Sequence, residues 1–272
     1  MSINKDFVNK IRCWTKGGPG NTMFNWGDAI SPTLYKFISN NDPELFVFKN
    51  PLKKLHFVIC GSVMKWVNQQ SIVWGTGCIN SGMKPSSPPH SICAVRGPLT
   101  RKILIKLGIN CPEVYGDPAI LFSKFYKPNI EKKYELGIIP HYIDKKPPLL
   151  SKISNNKQIK IIDITQKGKN NPIFNFVDEV CECKRIISSS LHGIILADSY
   201  NIPAMWVKLS DKVVGKGFKF RDYFLSVNRE FDKSIINELT CYEDIIKFID
   251  NNPYEVNIDT DKLLQSCPFK QF

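Results

Sequence analysis

The residues best suited to chemistry fall in one stretch, residues 184–208. Ser188, Ser189 and Ser190 lead into Leu191, His192 and Gly193, and an apolar run at 194–197 follows. A short apolar segment enters the serines, and a second, 204–207, leaves after Asn201 and Pro203. Strand, small polar turn, helix and strand is the α/β unit that points backbone N–H groups at a helix start, where an anion is favoured. His192 sits where it could touch that anion. The same spacing also suits a histidine that caps its own helix.

Three further groups have the same double character. Arg96 ends an apolar run and precedes Gly97-Pro98, so the backbone beside it can approach a ligand closely; it could equally pair locally on a surface. Asp28, in Asn25-Trp26-Gly27-Asp28, is either the N-cap of a helix with apolar positions at 30, 34, 35 and 38 or a carboxylate facing a cleft. Asp117, in Gly116-Asp117-Pro118, is a turn residue or a hydroxyl-binding group.

The elements that must position these groups are read from apolar runs ending in small residues. Runs at 55–60, 71–74 and 92–95 predict three buried strands, ending at Gly61-Ser62, Gly75-Thr76-Gly77 and Arg96-Gly97. Pro98 fits the first turn of a helix that Gly108 ends. Such runs predict parallel strands whose C-terminal ends line one crevice. Residues 123–133 are polar and break the pattern. They divide the chain into two α/β domains, 1–125 and 134–272, facing across a cleft. The second restarts with a strand at 134–139, followed by Pro140-His141-Tyr142, then a strand at 158–164 and a helix at 174–183. Beyond it, Gly215-Lys216-Gly217-Phe218-Lys219-Phe220-Arg221 forms a basic, glycine-hinged lip that lacks Walker A spacing, and outer helices close the chain.

Composition narrows the function classes. The 272 residues are 43% hydrophobic, ample for buried cores, and no apolar run approaches the roughly 20 residues of a membrane span. Nine cysteines, an odd and scattered set, and a start without a signal-peptide h-region predict reduced thiols in the cytoplasm. Cys181-x-Cys183 is too close for a zinc pair, so no structural metal is expected. A net charge of +12 fits nucleic acid, an anionic membrane surface or an anionic small substrate, but no nucleic-acid motif accompanies it.

Five segments then combine: V-R-G-P-L-T-R, G-D-P-A-I-L-F, G-I-I-P-H-Y-I-D-K, S-S-S-L-H-G-I-I-L-A-D-S-Y-N-I-P-A and G-F-K-F-R-D-Y-F. In this order, with N-W-G-D near the start, they resemble the polysaccharide pyruvyl transferase family. The resemblance implies two Rossmann-like domains in a GT-B-like arrangement. It implies phosphoenolpyruvate as donor, no cofactor, and a sugar or lipid-linked glycan whose hydroxyl pair becomes a pyruvate ketal. Arg96 would hold the donor, with Ser189, Ser190, Leu191, His192 and Gly193 forming the donor turn. His141 and Asp117 would assist binding, with His192 and Asp28 catalytic. Many relatives carry an arginine where this chain has Ser190, so Arg221, Lys216 or Lys219 must supply the charge. The reading is a cytoplasmic enzyme with at most peripheral membrane contact and no nucleic-acid partner. A GT-B nucleotide-sugar glycosyltransferase and a non-catalytic anion- or glycan-binding module are the alternatives.

Overall fold

Apolar runs that do not alternate with polar residues must be covered on both faces, which favours parallel strands between helices. The computed structural model describes residues 10–13, 25–47, 54–144, 156–166, 170–231, 235–236 and 241–270. The amino-terminal residues read as lacking an h-region lie outside them. Among the described residues ten strands form two all-parallel sheets. The first has the order β2-β1-β3-β4-β5, from Lys10–Cys13 (β1), Glu44–Val47 (β2), His56–Val58 (β3), Ser71–Trp74 (β4) and Ser91–Ala94 (β5). The second has the order β10-β9-β8-β6-β7, from Leu136–Ile139 (β6), Ile159–Ile161 (β7), Ile186–Ser188 (β8), Ala204–Val207 (β9) and Ile235–Ile236 (β10). Strands β3, β4, β6, β8 and β9 are buried throughout, as their mostly apolar character requires.

The described helices are Trp26–Ser39 (α1), Pro98–Lys106 (α2), Phe122–Phe125 (α3), Pro172–Cys181 (α4), Leu191–Ser199 (α5), Phe218–Ser226 (α6), Tyr242–Asn251 (α7) and Thr260–Gln265 (α8). Helix α1 differs from expectation at its start. Asn25, not Asp28, is the N-cap, its side chain accepting from the Gly27 amide at 3.2 Å. Pro32 lies inside the helix. Its missing N–H costs a bond to the turn before it, but Trp26, Ile30, Leu34 and Tyr35 are buried along one face and hold the helix through it.

Helix α1 also ties the two sheets together. The Trp26 amide donates to the Ile164 carbonyl and its indole Nε1 to the Ile173 carbonyl, both at 3.0 Å. The Trp26 ring packs on Phe122 and Phe176. In the opposite direction α6 docks on α2. The end of the chain does not merely coat the surface: Leu263 and Cys267 are buried, and Phe269 packs against Tyr35 of α1 and against Phe57 and Trp74 of the first sheet. One apolar core therefore draws residues from both sheets, and the groups at their C-terminal ends face one another.

Candidate active site

Because Asn25 caps α1, the carboxylate of Asp28 is released from capping. It faces a cavity of about 240 Å³ whose walls include Ser62, His141, Ser190, Leu191, His192 and Lys219. Ser62 follows β3, His141 follows β6, and Ser190 to His192 follow β8. This is the C-terminal crevice that parallel strands create. Burial raises Asp28 from 3.8 to about 6, with the charges of His192 and Lys219 acting the other way. A carboxyl in that range can give or take a proton near neutral pH. Burial, reinforced by Lys219 and His192, pushes His141 down to about 3, so its ring is neutral.

His192 occupies the second position of α5 and does not cap it; the N-cap position belongs to Ser190. The ring is wedged between the two halves. A Cβ on Gly27 would lie 1.8 Å from His192 Nδ1, so only glycine leaves room for the ring. On the other side Nε2 faces Asp117 Oδ2 at 3.5 Å. That is long for a hydrogen bond, and neither buried atom has a hydrogen-bond partner among the described residues. Asp117 is fixed by its other oxygen, Oδ1, which accepts from the Ala119 amide at 3.1 Å. Burial alone would raise the Asp117 carboxyl, but His192 and the Ala119 amide outweigh it and hold it below its ordinary range.

Arg96 lies one layer behind the cavity, fully buried. Its Nε and an Nη donate to Asp222 Oδ2 at 3.1 and 3.0 Å, another Nη to Ser62 Oγ at 2.7 Å, and the guanidinium also meets the Cys78 carbonyl. Asp222 comes from α6 and also accepts from the Thr100 amide and hydroxyl of α2, at 2.9 and 2.6 Å. A Cβ on Gly77 would press on the Arg96 guanidinium at 2.5 Å, so that residue too must be glycine. Arg96 thus bolts the halves together and reaches the cavity through Ser62.

The remaining predicted residues divide. Ser189, Lys216 and Arg221 line a neighbouring cavity of about 400 Å³ with Trp206 and Phe220. Ser189 Oγ accepts from the His141 amide and donates to Asp144, both at 2.7 Å, which fixes the turn beneath His141. Arg221 donates to the Lys216 carbonyl and lies over Phe231. Gly193 packs against Ser188 and Ile139, and a Cβ there would meet Ser188 Oγ at 2.5 Å. Ser62, Lys65, Trp66 and Tyr142 of the first cavity were not read as site residues. Only Ser62, in the Gly61-Ser62 pair that ends the apolar run at 55–60, carried a signal. Among the described residues no cluster of three or more His, Cys, Asp and Glu could hold a metal ion, and no helix is long and apolar enough to cross a membrane.

With this geometry in place, the comparisons with known proteins are specific. Residues 21–211 match the polysaccharide pyruvyl transferase family, and the chain belongs to that family. It is 34% identical over 188 residues to an uncharacterized protein of Acanthamoeba polyphaga mimivirus, covering 65% of this chain and 62% of that protein. It is 24% identical over 203 residues to the succinoglycan biosynthesis protein ExoV of Rhizobium meliloti, covering 73% of this chain and 60% of that protein. The chain thus spans about three fifths of the length of these relatives.

Proposed function

We propose that the protein transfers the pyruvyl group of phosphoenolpyruvate to a pair of hydroxyls on a glycan sugar, forming a pyruvate ketal. The observation that carries this reading is the meeting of Asp28, from the first sheet's side, with His192, from the second, across one cavity. Family membership and the similarity to a succinoglycan biosynthesis protein support a glycan acceptor. In this reading the two sheets are the cores of Rossmann-like domains, near 1–125 and 134–272, in a GT-B-like arrangement. The enzyme works in the cytoplasm on a free or lipid-linked glycan, with no cofactor beyond its donor substrate.

The chemistry assigns complementary tasks to the two groups. Protonated His192, with Asp117 as counter-charge, gives a proton from Nδ1 to the donor's methylene carbon, making it a methyl. The first acceptor hydroxyl forms its C–O bond to the central carbon and passes its proton to Asp28. The C–O bond to phosphate then breaks, and the leaving phosphate takes that proton from Asp28. The second hydroxyl closes the ketal at the same carbon and returns its proton to His192. One hydroxyl proton ends on the methyl and the other on phosphate, so both catalytic groups are restored. General acid–base help of this kind contributes about 10²–10⁴-fold.

The test is phosphate release from phosphoenolpyruvate in the presence of pyranosides with free 4- and 6-hydroxyls. Acceptor-dependent release supports the reading. Release of a nucleoside diphosphate from a sugar nucleotide, with phosphoenolpyruvate inert, would move the protein to glycosyl transfer. Glycan binding without turnover of either donor would make it a binding module.

A further inference from the structure

Buried cations are costly unless something neutralises them, and the cavity holds one without a direct ion-pair partner among the described residues. Lys219, in the first turn of α6, is 9% exposed, and it lines the cavity beside Asp28, His141 and His192. Among the described residues no carboxylate lies within ion-pairing distance of its ammonium. The ammonium lies 5.5 Å from the centroid of the Phe220 ring. Among the described residues the other buried side-chain cations are matched: Arg96 by Asp222, and Arg229 by Asp198. A second donor faces the same space. Ser62 Oγ accepts from Arg96, which leaves its own O–H to donate into the cavity. Ser190, two residues before His192, brings no charge.

We infer that Lys219, assisted by the Ser62 hydroxyl, is this chain's ligand for the phosphate of the donor. The inference rests on the reading of the cavity as a phosphoenolpyruvate site and names the cation that serves it. Of the three basic residues in the lip, Lys216 and Arg221 open onto the neighbouring cavity and only Lys219 reaches this one. Burial, together with Arg96, lowers Lys219 from 10.5 to about 8, while Asp28 and Asp144 act to raise it. A phosphate dianion supplies the missing counter-charge. It also separates Lys219 from Asp28, leaving the carboxyl free for the acceptor hydroxyl.

The experiment is calorimetric titration of the full chain with inorganic phosphate and, separately, with phosphoenolpyruvate. Thermal melts accompany it to confirm folding. Lys219→Met should bind both ligands about 10–100-fold more weakly, the scale of one charge-assisted hydrogen bond. Lys219→Arg should keep more affinity than Lys219→Met, and Lys208→Met, on an exposed ion pair with Asp211, should match wild type. Wild-type affinity should fall as pH rises through about 8, a slope that Lys219→Met lacks. Asp28, Asp144, Arg96, His141 and His192 face the same group and remain in both proteins. Binding by Lys219→Met within twofold of wild type, or loss of binding in Arg221→Met instead, would overturn the assignment while leaving the donor reading intact. Lys219-dependent binding of phosphate without binding of phosphoenolpyruvate would keep the cation site and overturn the donor. Failure of wild type to bind either ligand would overturn both.

Discussion

Replacing Asp222 by alanine removes the partner of a fully buried arginine, and the structure sets the scale of the damage. The carboxylate accepts four bonds: two from Arg96, at 3.1 and 3.0 Å, and two from Thr100, at 2.9 and 2.6 Å. Arg96 keeps Ser62 and the Cys78 carbonyl but no ion-pair partner, and its side chain is fully buried. Breaking a buried pair by deleting one member costs about 3–5 kcal/mol. For a chain of this size that corresponds to a loss of roughly 6–20 °C in Tm. Urea and thermal unfolding of Asp222→Ala read it directly. The double variant Arg96→Met, Asp222→Ala should recover part of the loss, because it removes the orphaned charge but still leaves the Thr100 donors without their acceptor. A loss below about 1 kcal/mol in Asp222→Ala, well under the usual cost of an orphaned buried charge, would refute the claim that this pair bolts the halves together.

Further consequences follow from the cavity. Asp28 rises from 3.8 to about 6 on folding, so between those values the folded chain binds more protons than the unfolded one and stability falls as pH rises. Asp28→Asn should match wild type in urea midpoint below about pH 4 and exceed it above about pH 6; equal midpoints at pH 7 would contradict the burial argument. Gly27→Ala places a methyl 1.8 Å from His192 Nδ1 and should reduce phosphate release about 10²-fold, as misplacing a catalytic group by about 1 Å does. Normal turnover in that variant would remove His192 from the chemistry. His192→Asn should fold, bind phosphoenolpyruvate in calorimetry, and lose about 10²–10⁴-fold in turnover.

How much of this was legible in the sequence depends on how strongly each segment is constrained. Strands β4 and β9 match their apolar runs residue for residue, because SIVW and AMWV are buried on both faces and bounded by small or polar residues. Strands β1, β2 and β10 were not read: the first two begin on a charged residue, and β10 has only two residues. The cap of α1 was ambiguous because Asn25 and Asp28 are both good caps, and only the fold chooses between them. The choice among Lys216, Lys219 and Arg221 was open for a related reason. Lys219 and Arg221 lie two positions apart, about 200° around a helix, so one faces inward and the other out. The phase of α6 depends on where Gly217, at φ +78°, starts it. The pairing of Arg96 with Asp222 spans 126 positions, and no local pattern announces it.

The central claim is that this cavity protonates the donor's methylene carbon and joins its central carbon to a glycan. Proton and carbon NMR of the reaction in deuterated water tests it most directly, using phosphoenolpyruvate and a pyranoside with free 4- and 6-hydroxyls. The account predicts a new ketal methyl on the acceptor carrying one solvent-derived deuterium, formed in step with inorganic phosphate and nearly absent in His192→Asn. Free pyruvate and phosphate with the acceptor unchanged, or ketal formation at the wild-type rate in His192→Asn, would contradict it.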